Sequence, residues 1–188
     1  MRVIAGQFRG RRLRAPDGRA VRPTSDRLRE TLFNILSHSQ QPSLVGAHMA
    51  DLFAGTGAVG IEALSRGARH VTFVEKAPKS LSLLKGNIAT MKAEDKAIVL
   101  AKDATRLPAP ALEHGPVEIA FLDPPYHKGL ADLALSSLRD KGWLAPNALV
   151  VAETARDETL SLSKGFDLLD QRQMADSSLW FLRFTPLS

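Results

Sequence analysis

Between residues 47 and 153 the chain alternates short apolar runs with amphipathic stretches, and no other feature restricts the possible folds as much. The apolar runs at 47–53, 70–75, 97–101, 117–123 and 148–153 are continuous, the pattern of strands buried on both faces. Helical stretches separate most of them. One ends near Arg66 and is stopped by Gly67. A second is opened by Pro78 and places Leu81, Leu84, Ile88 and Met91 on one face. A third covers 128–141 and stops at Gly142. This order predicts an α/β fold, a parallel sheet with helices on both faces. Residues 166–172 and 179–184 read as a closing hairpin that turns at 175–178. A length of 188 residues fits one domain with a small appendage.

The appendage is basic. Residues 1–30 hold nine arginines, no lysine and three acidic residues, so the whole formal excess of +5 lies there. Segments 2–5 and 12–15 read as two short strands around a Gly6–Gly10 turn, a small hairpin. After a loop at 16–22, Thr24, Ser25 and Asp26 offer caps for a helix reaching residue 37. Leu28, Leu32, Ile35 and Leu36 share one face of it, with Arg27 and Arg29 off that face. Residues 1–40 are therefore expected to form a basic extension, and 41–188 the main domain. Arginine suits bidentate phosphate contacts and stacking on bases, so the cluster reads as a nucleic-acid footprint. The candidates are Arg9, Arg11 and Arg12 on the hairpin, with Arg22, Arg27 and Arg29. The alternative use is ion pairing with Asp26 or Glu30.

Several classes are excluded. With no cysteine there is no disulfide framework and no thiolate metal site. The five histidines are scattered and none pairs at a metal-ligand spacing, so no metal is expected. The start, MRVIAGQFRG, lacks the apolar core of a signal peptide. No apolar run approaches the roughly 18 residues of a membrane span. A cytoplasmic protein without a membrane partner is expected.

Two motifs carry chemistry. The first strand runs into DLFAGTGAVG, where Gly55, Gly57 and Gly60 satisfy G-x-G-x-x-G between a strand and a helix. Glu75 ends the second strand twenty residues after Gly55, where an acid can accept from both hydroxyls of a ribose. An adenosine-containing cofactor is expected, held by Asp51, Phe53, Ala54, Gly55, Thr56, Gly57, Glu75, Lys76, Asp103, Ala104 and Asp123. Asp51 lies where a nicotinamide dinucleotide would set its pyrophosphate, which it would repel. It would instead attract a sulfonium and an ammonium, both present in S-adenosylmethionine. Asp103 follows the third strand and either accepts from the adenine amine or caps a turn.

The second motif, Asp123-Pro124-Pro125-Tyr126, closes the apolar run VEIAFL. Two prolines cannot extend a ladder or enter a helix interior, but they hold a rigid turn. The turn would fix the Asp123 carboxylate, the Pro124 carbonyl and the Tyr126 ring at the carboxyl end of a strand. Two acceptors and a flat aromatic face suit an exocyclic amine on a base stacked against the ring. In an open parallel sheet that edge is where ligands bind, so both motifs would face one cleft.

DLFAGTG with its strand-two glutamate resembles class I methyltransferases that use S-adenosylmethionine, and DPPY resembles the amino-methyltransferase signature. The whole chain is more specifically similar to the bacterial 16S ribosomal RNA guanine-N2 methyltransferase family, small-subunit methyltransferase D. The stretches that carry the likeness are GQFRGRRL at 6–13, RPTSDRLRETLFNIL at 22–36, DLFAGTGAVGIEALSRGA at 51–68 and DPPY at 123–126. Gly142-Trp143-Leu144 and Glu153 also fit; Tyr126 stands where phenylalanine is common. The resemblance implies a Rossmann-like, mostly parallel seven-stranded sheet whose last hairpin supplies the antiparallel strand. It implies methylation of one guanine of 16S RNA, within the small ribosomal subunit or its assembly intermediate; the basic amino-terminal face suggests a monomer docking on that large partner. Asp123, Pro124 and Tyr126 would then be catalytic, with Tyr126 on the RNA base. The residues taken alone reach an S-adenosylmethionine enzyme acting on an amine of a nucleic-acid base. They leave open a DNA adenine-N6 or cytosine-N4 methyltransferase, a nicotinamide-dependent oxidoreductase and a non-catalytic RNA-binding assembly protein.

Overall fold

A computed structural model describes residues 1–15, 26–38, 42–111 and 115–186. Its strands are β1 (His48–Leu52), β2 (His70–Val74), β3 (Ala97–Leu100), β4 (Val117–Leu122), β5 (Leu144–Ala155), β6 (Phe166–Gln173) and β7 (Ser177–Phe184). The helices are α1 (Asp26–His38), α2 (Ala58–Ser65), α3 (Pro78–Met91) and α4 (Leu130–Asp140). The strands form one sheet of order β3-β2-β1-β4-β5-β7-β6. The chain steps outward from β1 through β2 to β3, then returns to place β4 on the other side of β1. That reversal opens a crevice at the carboxyl ends of β1 and β4.

The sheet is mixed, and the antiparallel strand expected of the closing hairpin is β7. β1 to β5 pair in parallel, but β7 runs antiparallel to both β5 and β6. A three-residue turn joins β6 to β7, too short for the crossover that a parallel pair requires. β5 starts earlier than its apolar run, at Leu144, which pairs with Val117; residues 145–147 then bulge out before the ladder resumes at Ile119 with Leu149.

Side chains of the central strands alternate between two cores. Met49, Ile119, Phe121, Val151 and Phe181 pack with α1, α2 and α3 on one face. Ala50, Leu52, Leu122, Val150 and Leu182 pack with α4, Trp143 and Trp180 on the other. Each large apolar side chain so buried stabilises the fold by about 1.5–3 kcal/mol, which explains why the strands read as unbroken apolar runs. Among the described residues no helix is long and apolar enough to cross a membrane, and no group of acids and histidines could hold a metal ion.

The expected amino-terminal hairpin is short: Arg2 bridges antiparallel to Arg12, and the amides of Val3, Gly10 and Leu13 donate to the carbonyls of Arg11, Val3 and Met1 at 3.0, 2.9 and 3.1 Å. The donors that would lengthen a ladder go to α2. The amides of Ile4 and Ala5 donate to the two oxygens of Glu62 at 2.7 and 2.9 Å. Those of Gln7 and Phe8 donate to the carbonyl and hydroxyl of Ser65 at 2.8 and 2.9 Å. Glu62 is fully buried and also faces Arg29 at 3.7 Å and Arg66 at 2.8 Å. Arg29, expected on the outer face of α1, has 0% exposure. It donates to the Arg2 carbonyl and to Asp26, so it is part of the fold and not a surface contact. Phe33, also fully buried, widens the apolar face of α1 beyond the four expected residues. The caps at Thr24 and Ser25, and Arg22, lie outside the described residues.

Candidate active site at the carboxyl edge of the sheet

β1 ends at Leu52, and Phe53 turns the chain with φ of 59°, a left-handed conformation costly for an aromatic residue. The glycine loop follows. Gly57 has φ of 78°, and a Cβ there would lie 2.3 Å from Leu84. A Cβ on Gly60 would lie 2.3 Å from the Phe73 ring, so this glycine lets α2 press against β2. Gly57 caps α2 without a side chain. The carboxylate of Asp51 supplies what is missing: it accepts from the Gly60 amide at 2.9 Å. Burial pushes the Asp51 pKa up to about 8, with the Gly60 amide opposing and the charges of Asp123 and Glu75 adding to the rise.

Glu75 ties the loop to the next helix. One oxygen accepts from the Gly55 amide at 2.8 Å and the other from the Ala77 amide at 2.7 Å. Each carboxylate oxygen has a second lone pair for a hydroxyl donor. Asn87 of α3 holds the loop from behind. Its amide group donates to the Thr56 carbonyl at 2.9 Å and exchanges hydrogen bonds with the backbone of Arg14 at 2.8 and 3.1 Å. Asp103 turns out to cap a 3₁₀ turn, accepting from the Thr105 amide and hydroxyl, while its other oxygen accepts from Lys76 at 2.8 Å. The Lys76 hydrogen bond, followed by those from Thr105, holds the Asp103 pKa down at about 2.

These loops border a cleft of about 800 Å³. Asp51, Phe53, Ala54, Gly55, Thr56, Glu75, Lys76 and Ala104 line one side, and Asp123, Pro124, Pro125 and Tyr126 the other. Gly57 is buried beneath the loop, and Asp103 sits beside the cleft, outside its lining. The structure thus brings both motifs to one cavity. The Tyr126 hydroxyl donates to the buried carboxylate of Glu153 at 2.7 Å. Burial, the bond to Glu153 and the charges of Glu153 and Asp123 push the Tyr126 pKa upward.

The arginines lie elsewhere. Arg9, Arg11, Arg12 and Arg27 are exposed, and none lines the cleft. Arg11 sits over the Phe8 ring at 5.5 Å and donates to the Thr90 carbonyl at 3.5 Å, which places the arm against α3. Lining residues that the motifs did not indicate include Leu28 of α1, Lys102 and Lys128; Glu153, noted only as part of the family likeness, also lines the cleft and holds Tyr126. Glu153 carried a usable signal, because it closes the apolar run 148–153 as Glu75 and Asp123 close theirs. Leu28 carried none, since a core leucine and a cleft leucine look alike.

Comparison with known proteins agrees with this arrangement. A family model described as Conserved hypothetical protein 95 matches residues 1–183. The chain is 43% identical over 154 residues to ribosomal RNA small subunit methyltransferase D of Escherichia coli, covering 82% of this chain and 74% of that one. It is 38% identical over 173 residues to the Haemophilus influenzae protein of the same name, covering 92% and 88%. A solved Escherichia coli structure, provisionally described as the methyltransferase yhhF, superimposes with a TM-score of 0.84 at 35% identity, covering 100% of this chain and 99% of that one. TrmN from Thermus thermophilus shares the fold at a TM-score of 0.66 and 22% identity, covering 84% of this chain and 48% of that one. With a class I methyltransferase fold and likeness along nearly its whole length, the chain belongs to the Conserved hypothetical protein 95 family, that of the small-subunit ribosomal RNA methyltransferases D.

Proposed function

We propose that the protein transfers a methyl group from S-adenosylmethionine to the exocyclic N2 of one guanine in 16S ribosomal RNA. The substrate is the small subunit or its assembly intermediate, and the enzyme acts as a cytoplasmic monomer. The observation that carries the cofactor reading is the Asp51 carboxylate on the Gly60 amide. A dinucleotide would need that helix-terminal amide for its pyrophosphate, and a carboxylate already holds it. Asp51, Glu75 and Asp123 together favour a cationic, phosphate-free adenosine. The small-subunit ribosomal RNA substrate follows the names of the relatives; guanine N2 and 16S follow the family resemblance carried by residues 6–13, 22–36, 51–68 and 123–126.

When bound, S-adenosylmethionine supplies an electrophilic methyl on a sulfonium. The two oxygens of Glu75 accept from the ribose hydroxyls while keeping the loop closed, and Ala104 and Lys76 flank the adenine, with Asp103 steering Lys76. At the other side, Asp123 and the Pro124 carbonyl accept the two N–H bonds of the target amine. That orients the nitrogen lone pair toward the methyl, a positioning effect worth several kcal/mol. The Asp123 carboxylate also stabilises the positive charge that develops on nitrogen. Tyr126 stacks on the base, which must leave its helix or loop to enter. Arg9, Arg11, Arg12, Arg22 and Arg27 contact the RNA backbone.

The test is methyl transfer from labelled S-adenosylmethionine to small subunits lacking the modification, to their naked 16S RNA and to duplex DNA. Mass spectrometry then identifies the labelled nucleoside. N2-methylguanosine at one site on subunits is expected. Methyladenine or methylcytosine in DNA would overturn the substrate assignment while leaving the fold and cofactor reading in place.

A further inference from the structure

We infer that Glu153 is the residue that selects guanine over adenine and cytosine, by accepting a hydrogen bond from the N1–H of the target base. This rests on the reading that the cleft methylates a base amine held by Asp123. Three observations carry it. The Glu153 side chain is buried, 4% exposed, yet borders the cleft. The register pairs Leu122 with Ala152, so Asp123 and Glu153 follow at one level on neighbouring parallel strands. Neighbouring strands lie about 4.8 Å apart, which is the scale on which one base edge can meet both. Finally, the Tyr126 hydroxyl donates to one oxygen of Glu153 at 2.7 Å and sets the direction of the carboxylate beside the ring proposed to stack on the base.

Holding a tyrosine hydroxyl needs only one neutral acceptor. A carboxylate is acceptor-only and offers about four lone-pair sites. Guanine presents two adjacent kinds of donor, the N1–H and the N2 amine. Facing Asp123 and Glu153, it gives hydrogen to each. Adenine and cytosine carry a ring-nitrogen lone pair beside their amine. With the amine on Asp123, that lone pair would face Glu153, and a buried carboxylate would meet an acceptor. A site built around a donor on its ligand rejects analogues that lack it far more strongly than a shape-selective pocket does.

The probe is 2-aminopurine, which keeps the C2 amine but has a bare N1. Small-subunit particles are reconstituted with 16S RNA carrying guanine or 2-aminopurine at the modified position. The wild-type enzyme should prefer guanine by about a hundredfold or more in kcat/KM. In Glu153→Gln the amide can donate to the bare N1, so the preference should fall below about tenfold, with cofactor affinity unchanged. Tyr126→Phe removes the hydrogen bond but keeps the carboxylate, and should retain most of the preference. Equal loss of preference in both variants would show that Glu153 acts only through Tyr126, and would overturn the inference. So would a wild-type enzyme that methylates 2-aminopurine as fast as guanine, whatever the variants do. Absence of any transfer to guanine N2 in unmodified particles would remove the parent reading as well, so the two failures are distinguishable.

Discussion

The hydroxyl of Tyr126 is bonded to the carboxylate of Glu153 at 2.7 Å, which links the DPPY turn to the neighbouring strand. The ring alone would make phenylalanine an equivalent choice for stacking. The bond makes the two residues different. Tyr126→Phe would leave a buried carboxylate short of a donor, at a cost of about 1–3 kcal/mol. It should lower the melting temperature by several degrees while keeping turnover within about tenfold. Tyr126→Ala should also lose stacking, worth about 1–3 kcal/mol per base, and fall much further in turnover. Thermal denaturation together with the methyl-transfer assay checks both, and equal turnover of the two variants would argue against stacking.

Asp51 sets a pH dependence. Its folded pKa of about 8 lies above the ordinary 3.8, so the fold favours the protonated form. That contribution is fully present below pH 3.8, shrinks as pH rises and is gone above about 8. Asp51→Asn keeps an acceptor for the Gly60 amide and removes the charge. Urea denaturation should therefore show the variant gaining on the wild type from acid to alkaline pH and levelling off near 8. A cationic cofactor favours the ionised form, so wild-type affinity for S-adenosylmethionine should rise with pH and binding should release a proton. Calorimetry in buffers of different ionisation enthalpy measures that proton.

Asp123→Ala should abolish turnover but lower cofactor affinity only a few-fold, since Asp51 and Glu75 still face the cation and the main contact of Asp123 is the acceptor amine. Equilibrium binding and single-turnover transfer separate the two effects. Wild-type-like turnover would discard the proposed chemistry.

The buried Arg29 and Glu62 pair holds the amino-terminal segment to α1 and α2. Removing one partner of such a pair typically costs about 3–5 kcal/mol, because the other charge stays buried. Arg29→Ala should be strongly destabilising, and hydrogen exchange at the Ile4 and Ala5 amides should speed up as the segment loosens. Exchange unchanged at those amides would mean that the segment is held by other contacts.

Replacing Arg9, Arg11 and Arg12 together by serine should leave the melting temperature nearly unchanged, since all three are exposed. Affinity for subunits should drop, and the slope of log affinity against log salt should flatten by about 2–3. An unaltered slope would take the arm off the RNA.

The α/β alternation and the shared cleft were legible because buried strands and glycine loops have local signatures. The cleft carboxylates were legible for the same reason: each lies at or near the end of an apolar run. Long-range hydrogen bonds left no such mark. Nothing near Arg29 shows that it will turn inward, because its partner Glu62 lies 33 residues away on another helix. A glutamate inside the apolar run AVGIEALS was the available hint that a buried charge needed an answer. The hairpin is shorter than its sequence suggests for a related cause. Local sequence supports two facing strands, but it cannot reveal that Glu62 and Ser65 compete for the same amides. Asp103 fits two roles from sequence, and only the position of Thr105 and Lys76 assigns it the cap.

The amino-terminal segment docks through its main chain and through the buried side chains of Val3 and Leu13. Ile4, Ala5, Gln7, Phe8 and Arg14 are all fastened by amides or carbonyls, to Glu62, Ser65 and Asn87. An arm fastened in this way frees most of its outward residues, Arg11 and Gln7 apart, from duty to the scaffold. Their identities can drift, or be exchanged wholesale, without disturbing the catalytic body. The fold is thereby suited to retargeting: a different set of exposed side chains on the same arm would redirect one unchanged methylation site to a new docking surface.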